Sequence, residues 1–187
     1  MQHTCPVWIG HLLAHPVRKL FHCPKRILSP FVKPNMTVVD LGSAMGFFSI
    51  PLAKMVAPQG RVICLDVQQE MLEQLEHRAC KAGVQEQIET RLCPHHTLGL
   101  SDVAGRVDFV LASAVIHELT NPAEIFRELY GIVHKDGVLY IVEPKAHVSR
   151  KNFEKSLDQA REAGFKIKEQ KRNKATLIKP DNPFVKG

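Results

Sequence analysis

One short stretch near residue 40 constrains the fold of this chain more than any other. Residues 36–41 are an apolar run rich in β-branched side chains, with Asp40 near its end. Gly42 and Gly46 follow, and residues 47–56 have the apolar spacing of an amphipathic helix. Because glycine has no side chain where the backbone bends sharply, the pattern predicts a strand, a tight turn and a helix. The N–H groups and the positive dipole end at such a helix start suit a ligand with a polar, partly anionic portion.

Strands and helices alternate along the rest of the chain. Strands are predicted at 36–41, 61–66, 87–92, 106–113, 137–143, 165–170 and 175–179. The helices between them are predicted from 68 to Gly83, from the Asn121-Pro122 cap to Asp136-Gly137, and from Ser149 to Gly164. The alternation predicts an α/β fold with a doubly wound, mostly parallel sheet and helices on both faces. The last two strands form a hairpin.

Size and charge place few limits on function. The 187 residues predict one domain, residues 35–187, preceded by a proline-punctuated helical arm at residues 1–34. The apolar fraction of 44% and the charged fraction of 24% are ordinary for a soluble protein. A net charge of +6 leaves nucleic acid possible as a partner, but no long basic block is present.

Cysteine usage and hydropathy predict the compartment. The five cysteines are an odd number and include no C-x-x-C pair, which favours a reducing environment. No apolar run approaches the roughly 20 residues that span a bilayer, and the N-terminus lacks the order of a signal peptide. We therefore expect a cytoplasmic protein without a membrane partner.

The turn resembles motif I of the class I S-adenosylmethionine (SAM)-dependent methyltransferases, D/E-x-G-x-G-x-G. Here it reads Asp40-x-Gly42-x-Ala44-x-Gly46, with alanine at the middle glycine. Dinucleotide enzymes use a similar turn, but the chain has no room for their substrate domain, which argues against NAD. The resemblance covers about residues 33–179 and is closest to the small, single-domain type 11 group. It implies a Rossmann-like, seven-stranded sheet whose last strand is antiparallel.

Ligands of doubly wound sheets bind outside the carboxyl ends of the strands, so residues after each strand are the candidates. Asp66 could accept both ribose hydroxyls of a nucleoside, or it could be a plain helix cap. Where the family places an acidic residue after the third strand, this chain has Cys93-Pro94-His95, so backbone groups or His95 would contact adenine. The predicted cofactor-binding residues are Asp40, Gly42, Ser43, Ala44, Gly46, Phe47, Asp66, Val67, Met71, Pro94, His95, Ser113 and Ala114.

Three further residues are candidates for catalysis or substrate binding. The segment 113–119 resembles the family loop that lines the methionine moiety, and its His117 could remove a proton or could only order the loop. Glu143 follows the fifth strand and could bind a cationic or hydroxylated substrate, or pair with Lys145 or an arginine. Trp8 would add an apolar wall from the arm. The arm's histidines and cysteines match no standard zinc spacing, so no metal is predicted.

The resemblance implies methyl transfer from SAM, with release of S-adenosyl-L-homocysteine. We expect a small-molecule acceptor and a monomer or homodimer. The alternatives are an RNA methyltransferase, a non-catalytic SAM-binding subunit, and a thiol- or metalloid-directed enzyme using Cys5 and Cys23. The chain lacks the N/D-P-P-Y/F motif after the fourth strand and an aromatic stacking platform, which argues against RNA. A base is needed only for an acceptor atom that is protonated at neutral pH, so the core motifs do not identify the acceptor.

Overall fold

The computed structural model describes residues 23–94 and 97–181. Trp8, His95 and most of the predicted arm at residues 1–34 lie outside this part of the chain, so those predictions stay predictions. Within it the helices are α1 (Pro24–Leu28), α2 (Ser49–Val56), α3 (Gln69–Ala82), α4 (Pro122–Ile132) and α5 (Arg150–Glu162). The strands are β1 (Thr37–Leu41), β2 (Arg61–Asp66), β3 (Ile88–Leu92), β4 (Val107–Ser113), β5 (Val133–Val142), β6 (Lys166–Lys171) and β7 (Lys174–Ile178). None of the described helices is both long and apolar enough to span a bilayer.

The seven strands form one sheet in the order β3-β2-β1-β4-β5-β7-β6. β2 pairs in parallel with β1 and with β3, and β4 pairs in parallel with β5. β7 is antiparallel to both of its neighbours, β5 and β6. The predicted Rossmann-like sheet with an antiparallel last strand is confirmed. The chain divides into two compact units, residues 1–93 and 94–187.

The first unit buries β1 and β2 almost completely, because parallel strands are covered on both faces and read as continuous apolar runs. In β2 every residue after Arg61 is buried. Helix α3 buries one stripe of its surface: Met71, Leu72, Leu75 and Ala79. It ends as predicted at Gly83, whose φ of 67° is the left-handed conformation that glycine adopts most easily.

The second unit differs from the sequence prediction at the end of α4. The helix was predicted to continue to Asp136-Gly137, but it ends at Ile132 and β5 begins at Val133. The ammonium group and the backbone carbonyl of Lys179 both form hydrogen bonds with the backbone there. The Lys179 ammonium donates to the carbonyls of Tyr130 and Val133, both at 2.8 Å, and the Asp136 N–H donates to the Lys179 carbonyl at 2.9 Å. A contact distant in sequence therefore ends the helix early.

The two helix starts predicted in this unit are capped in different ways. The Ser149 hydroxyl accepts from the Asn152 N–H at 3.1 Å, which is the side-chain cap expected of α5. Asn121 occupies the cap position of α4 with Pro122 after it, but its side chain makes no capping hydrogen bond. Proline at the first helical position, with its fixed φ, marks this start instead.

Close packing in the first unit depends on Gly46. Its φ is +80°, and a β-carbon placed there would lie 3.0 Å from Leu75 Cγ and 3.5 Å from Ile50 Cγ1. The absent side chain thus lets the turn before α2 approach α3 closely.

We predict that Gly46→Ala lowers the free energy of unfolding by about 1–3 kcal/mol, because it adds left-handed strain and a tight contact. Urea denaturation measures the change. Gly131→Ala is the matched control, since Gly131 lies in α4, is exposed and has no atom within 4 Å of the added carbon. The control should keep the wild-type free energy of unfolding or raise it by up to about 1 kcal/mol. Equal losses in both variants would contradict the packing argument.

Candidate functional site

The turn between β1 and α2 alternates left-handed residues. Gly42, Ala44 and Gly46 have φ of 71°, 45° and 80°. The N–H groups of Gly42 and Ser43 both donate to the carbonyl of Leu65 at 2.9 Å, which ties the turn to the end of β2. Ala44 holds a conformation that costs a residue with a β-carbon about 1–2 kcal/mol. The middle position of the motif therefore requires a left-handed backbone even where glycine is absent.

Asp66 holds this turn in place. One of its oxygens, Oδ2, accepts from the Ala44 N–H at 2.9 Å, and the other, Oδ1, accepts from the Gln68 N–H at 3.0 Å. Burial raises the pKa of the Asp66 carboxyl, and the N–H groups of Gln68, Ala44 and Val67 oppose that rise. A carboxylate offers about four lone-pair sites, so these donors leave acceptor capacity for a hydroxyl group. Asp66 supports the turn and bonds the N–H of Gln68, the residue at the cap position of α3. Its predicted ribose contact stays a prediction.

A second support for the turn comes from α3 and was missed by the sequence analysis. Arg78 Nη1 donates to the Met45 carbonyl at 2.7 Å, and partial burial lowers the pKa of its guanidinium. Arg78 lies three positions after Leu75 and seven after Met71, on the apolar face of the helix. A charged residue at that spacing was the signal that could have identified it.

The Asp40 side chain is buried and joins two elements inside the protein. Its side chain is 3% exposed, and the Ser49 hydroxyl donates to its Oδ2 at 2.6 Å, which joins β1 to the start of α2. Burial, with a smaller contribution from the negative charge of Asp66, raises the pKa of Asp40 to about 7. The motif carboxylate is thus held where ionisation is costly.

The hydrogen bonding of the Ser43 hydroxyl indicates how well the turn fits a polar ligand. It is buried, and it has no hydrogen-bond partner among the described residues. A buried hydroxyl without a partner costs about 1–3 kcal/mol, which a polar ligand group would remove. Together with the acceptor capacity of Asp66, this unpaired hydroxyl fits a nucleoside with a polar tail, as in SAM.

The remaining cofactor candidates of the first unit are apolar. Phe47 and Met71 are buried, and Val67 is partly exposed directly after Asp66. Their predicted contacts with adenine or the methionine moiety stay predictions.

In the second unit, Glu143 links two loops. Its side chain is 2% exposed, and Oε1 accepts from the Ile116 N–H at 2.9 Å while Oε2 lies 2.6 Å from His117 Nδ1. The Asn173 side chain donates to the Glu143 carbonyl at 2.6 Å, and the Glu143 N–H donates to the Asn173 carbonyl at 2.8 Å. Burial raises the pKa of Glu143, and attraction to His117 opposes the rise. The sequence analysis had considered Lys145 or an arginine as partner; the structure pairs Glu143 with His117.

The loop after β4 begins with an unusual backbone. Ala114 has a φ of 58°, and its N–H donates to the Val142 carbonyl at 2.7 Å. Ser113 is the last residue of β4, and a single helical turn spans Ile116–Glu118. Ser113, Ala114, His117 and Glu143 are therefore brought together in this unit. Pro94 is exposed, and its carbonyl accepts from the Thr97 N–H at 3.4 Å.

Among residues 23–94 and 97–181, no group of three or more His, Cys, Asp or Glu side chains is placed to hold a metal ion.

Comparison with known proteins assigns the family. Residues 32–179 match the family described as a methyltransferase domain, and the chain belongs to this family. A solved structure, the SAM-dependent methyltransferase from Aquifex aeolicus, superposes with a TM-score of 0.79 at 24% identity, covering 94% of this chain and 98% of that one. The likeness shows that the two share a fold. Family and fold imply SAM as the cofactor.

Two curated relatives match part of the chain. The arsenite methyltransferase of Halobacterium salinarum is 30% identical over 104 residues, which are 56% of this chain and 26% of that protein. The demethylmenaquinone methyltransferase of Lactobacillus johnsonii is 28% identical over 112 residues, which are 60% of this chain and 45% of that protein. The chain thus matches less than half the length of either relative.

We predict that Asp40→Asn gains stability relative to the wild type as the pH rises from 4 to 8. The ordinary pKa of 3.8 rises to about 7 in the folded state. A carboxyl group whose pKa is raised by folding stabilises the fold fully at pH values below its pKa in the unfolded state. This contribution is lost as the pH rises through the folded-state pKa of about 7. The asparagine carries no charge, and its carbonyl can still accept from Ser49. The stability of the variant therefore does not fall in this way as the pH rises.

Urea denaturation across this pH range measures the difference, which should grow by at most about 4 kcal/mol. Asp158→Asn, at an exposed position of α5, should instead follow the wild type. A constant difference between the wild type and Asp40→Asn would contradict the buried, protonated carboxyl.

Proposed function

We propose that this protein transfers a methyl group from SAM to a small-molecule acceptor. The observation that carries the proposal is the turn at residues 42–46. It alternates left-handed residues, is held by Asp66, and contains a buried Ser43 hydroxyl without a partner among the described residues. These features suit the close approach of a nucleoside with a polar tail.

Each of these groups has a distinct role in holding the cofactor. The remaining lone pairs of Asp66 would accept the ribose hydroxyls, and the Ser43 hydroxyl would pair with a polar group of the ligand. Val67 and Met71 would flank the adenine. Bound SAM supplies an activated methyl group on a sulfonium centre. The chain has then to orient the acceptor and exclude water.

Two of the curated relatives support a small acceptor. They are named for arsenite and for demethylmenaquinone, and neither substrate is a macromolecule. We also infer a cytoplasmic location, on the cysteine usage described above.

RNA remains the second candidate acceptor, because the edge strand β6 and its hairpin present exposed cations at Lys166, Lys168, Lys171 and Arg172. Lysines on an edge strand also prevent pairing with other chains, so this charge favours RNA only weakly. Activity that requires added RNA would select this candidate.

We predict that the purified chain binds S-adenosyl-L-homocysteine in isothermal titration calorimetry. Ser43→Ala should weaken binding by about 3- to 10-fold, the size of one hydrogen bond. Asp66→Asn should weaken it by at least about 10-fold, since an amide nitrogen cannot accept from Ala44 or from a ribose hydroxyl.

Ser101→Ala and Asp158→Asn change exposed positions that are not part of the turn, and both variants should bind like the wild type. Binding of NADH without binding of S-adenosyl-L-homocysteine would refute the proposed function.

A further inference from the structure

The two edge strands of the sheet differ in how they are protected against pairing with other chains. Proteins commonly protect an edge strand with lysines or with an irregular register. β6 has a register shift between Ile167 and Glu169. It also carries three exposed lysines, Lys166, Lys168 and Lys171. β3, at the other end of the sheet, contains neither lysine nor proline, and its register with β2 is uninterrupted. β3 is therefore the less protected edge.

One hydrogen bond shows which backbone groups of β3 point away from β2. The Cys93 N–H donates to the Asp66 carbonyl of β2 at 2.9 Å. Backbone groups along a strand point alternately to its two sides, so every second residue before Cys93 also bonds β2. The N–H and C=O groups of Ile88, Thr90 and Leu92 then face the side on which no described strand follows.

The sequence of β3 is complementary to itself when the second strand runs in the opposite direction. β3 reads Ile-Glu-Thr-Arg-Leu. In an antiparallel pair centred on Thr90, Ile88 lies opposite Leu92 of an identical strand. Glu89 lies opposite Arg91 of that strand, and both pairs recur on the other side of the centre. Apolar pairs and opposite-charge pairs across two strands stabilise an antiparallel sheet.

The backbone and the side chains select the same register. A twofold axis at Thr90 lets the N–H of each Thr90 donate to the carbonyl of the other, and Ile88 and Leu92 bond in the same way. A shift by one residue would place groups that face the edge opposite groups that face β2. A shift by two residues would place Glu89 opposite Glu89, or Arg91 opposite Arg91. Only the register centred on Thr90 satisfies both the backbone and the charges.

The side chains of β3 are accessible to another chain. Leu92 is 54% exposed and is the one exposed large apolar side chain among the described residues. The side chains of Glu89 and Arg91 are 37% and 23% exposed, and they form an ion pair within the chain. The Thr90 hydroxyl donates to Glu76 of α3, so the two Thr90 residues would be joined through their backbones.

We propose that two copies of this chain associate through their β3 strands, antiparallel about a twofold axis at Thr90. A second copy is the partner because the order of charges along β3 complements itself. Glu89 and Arg91 of the two copies then alternate in sign across the axis. Both copies use the same edge, so the assembly closes at two copies and does not extend into a fibre. The surface lies in the first unit, and the association does not depend on the proposed function.

Sedimentation velocity across a range of protein concentrations tests the association. Five-residue strands form a small interface, so the wild type should shift from one copy to two as the concentration enters the high micromolar range. Leu92→Lys places a cation on the edge and should raise the dissociation constant of the dimer by about 10-fold or more. Lys166→Glu, an exposed change on β6, is the control that should dimerise like the wild type. A wild type that stays monomeric throughout would overturn the proposal.

Charge reversal tests the register. Glu89→Arg leaves arginine at both 89 and 91, and Arg91→Glu leaves glutamate at both. Each variant alone then opposes like charges and should remain monomeric. An equimolar mixture of the two should dimerise, because each arginine of one variant lies opposite a glutamate of the other. The double variant with both changes should dimerise like the wild type. Dimers of either single variant at wild-type strength, or no dimer in the mixture, would overturn the proposal.

Circular dichroism checks that each variant folds. If a charge-reversal variant does not fold, Leu92→Lys decides alone, because it changes an exposed position. Dimerisation of folded Leu92→Lys at wild-type strength would mean that the copies meet at another surface, and the proposal would be wrong.

Discussion

The hydrogen bond from the Ala44 N–H to Asp66 is the interaction on which the candidate cofactor site depends. The turn at residues 42–46 has three left-handed residues, and one of them is an alanine that would avoid this conformation in isolation. Asp66 secures that residue from the end of β2, and Arg78 holds the next carbonyl from α3. The same carboxylate bonds the Gln68 N–H, so the turn and the start of α3 are fixed by one side chain.

Buried acids recur in both units, with different partners. Asp40 is bonded by a neutral hydroxyl, and burial raises its pKa to about 7. Glu143 is bonded by a backbone N–H and an imidazole, which favour its charged form against the cost of burial. The first acid is suited to join a strand to a helix. The second is suited to hold a histidine ring in one orientation.

Much of the fold could be predicted from the sequence, because it depends on local signals. Neighbouring residues in the sequence determine the apolar strands, the buried stripe of α3 and the end of that helix at Gly83. The sheet with its antiparallel last strand followed from the motif resemblance. The early end of α4 could not be predicted, since Lys179, far along the chain, supplies the contacts that end it. The candidate site shows the same division. The turn and Asp66 were visible as a motif, whereas the contacts of Arg78 and Asn173 join residues distant in sequence.

A crystal structure of the chain with S-adenosyl-L-homocysteine tests the central claim most directly, namely that the turn supported by Asp66 binds the cofactor. We expect the ribose hydroxyls within hydrogen-bond distance of the Asp66 carboxylate and a polar group of the ligand bonded to the Ser43 hydroxyl. A ligand bound away from residues 42–46, with the Ser43 hydroxyl still without a partner, would contradict the account.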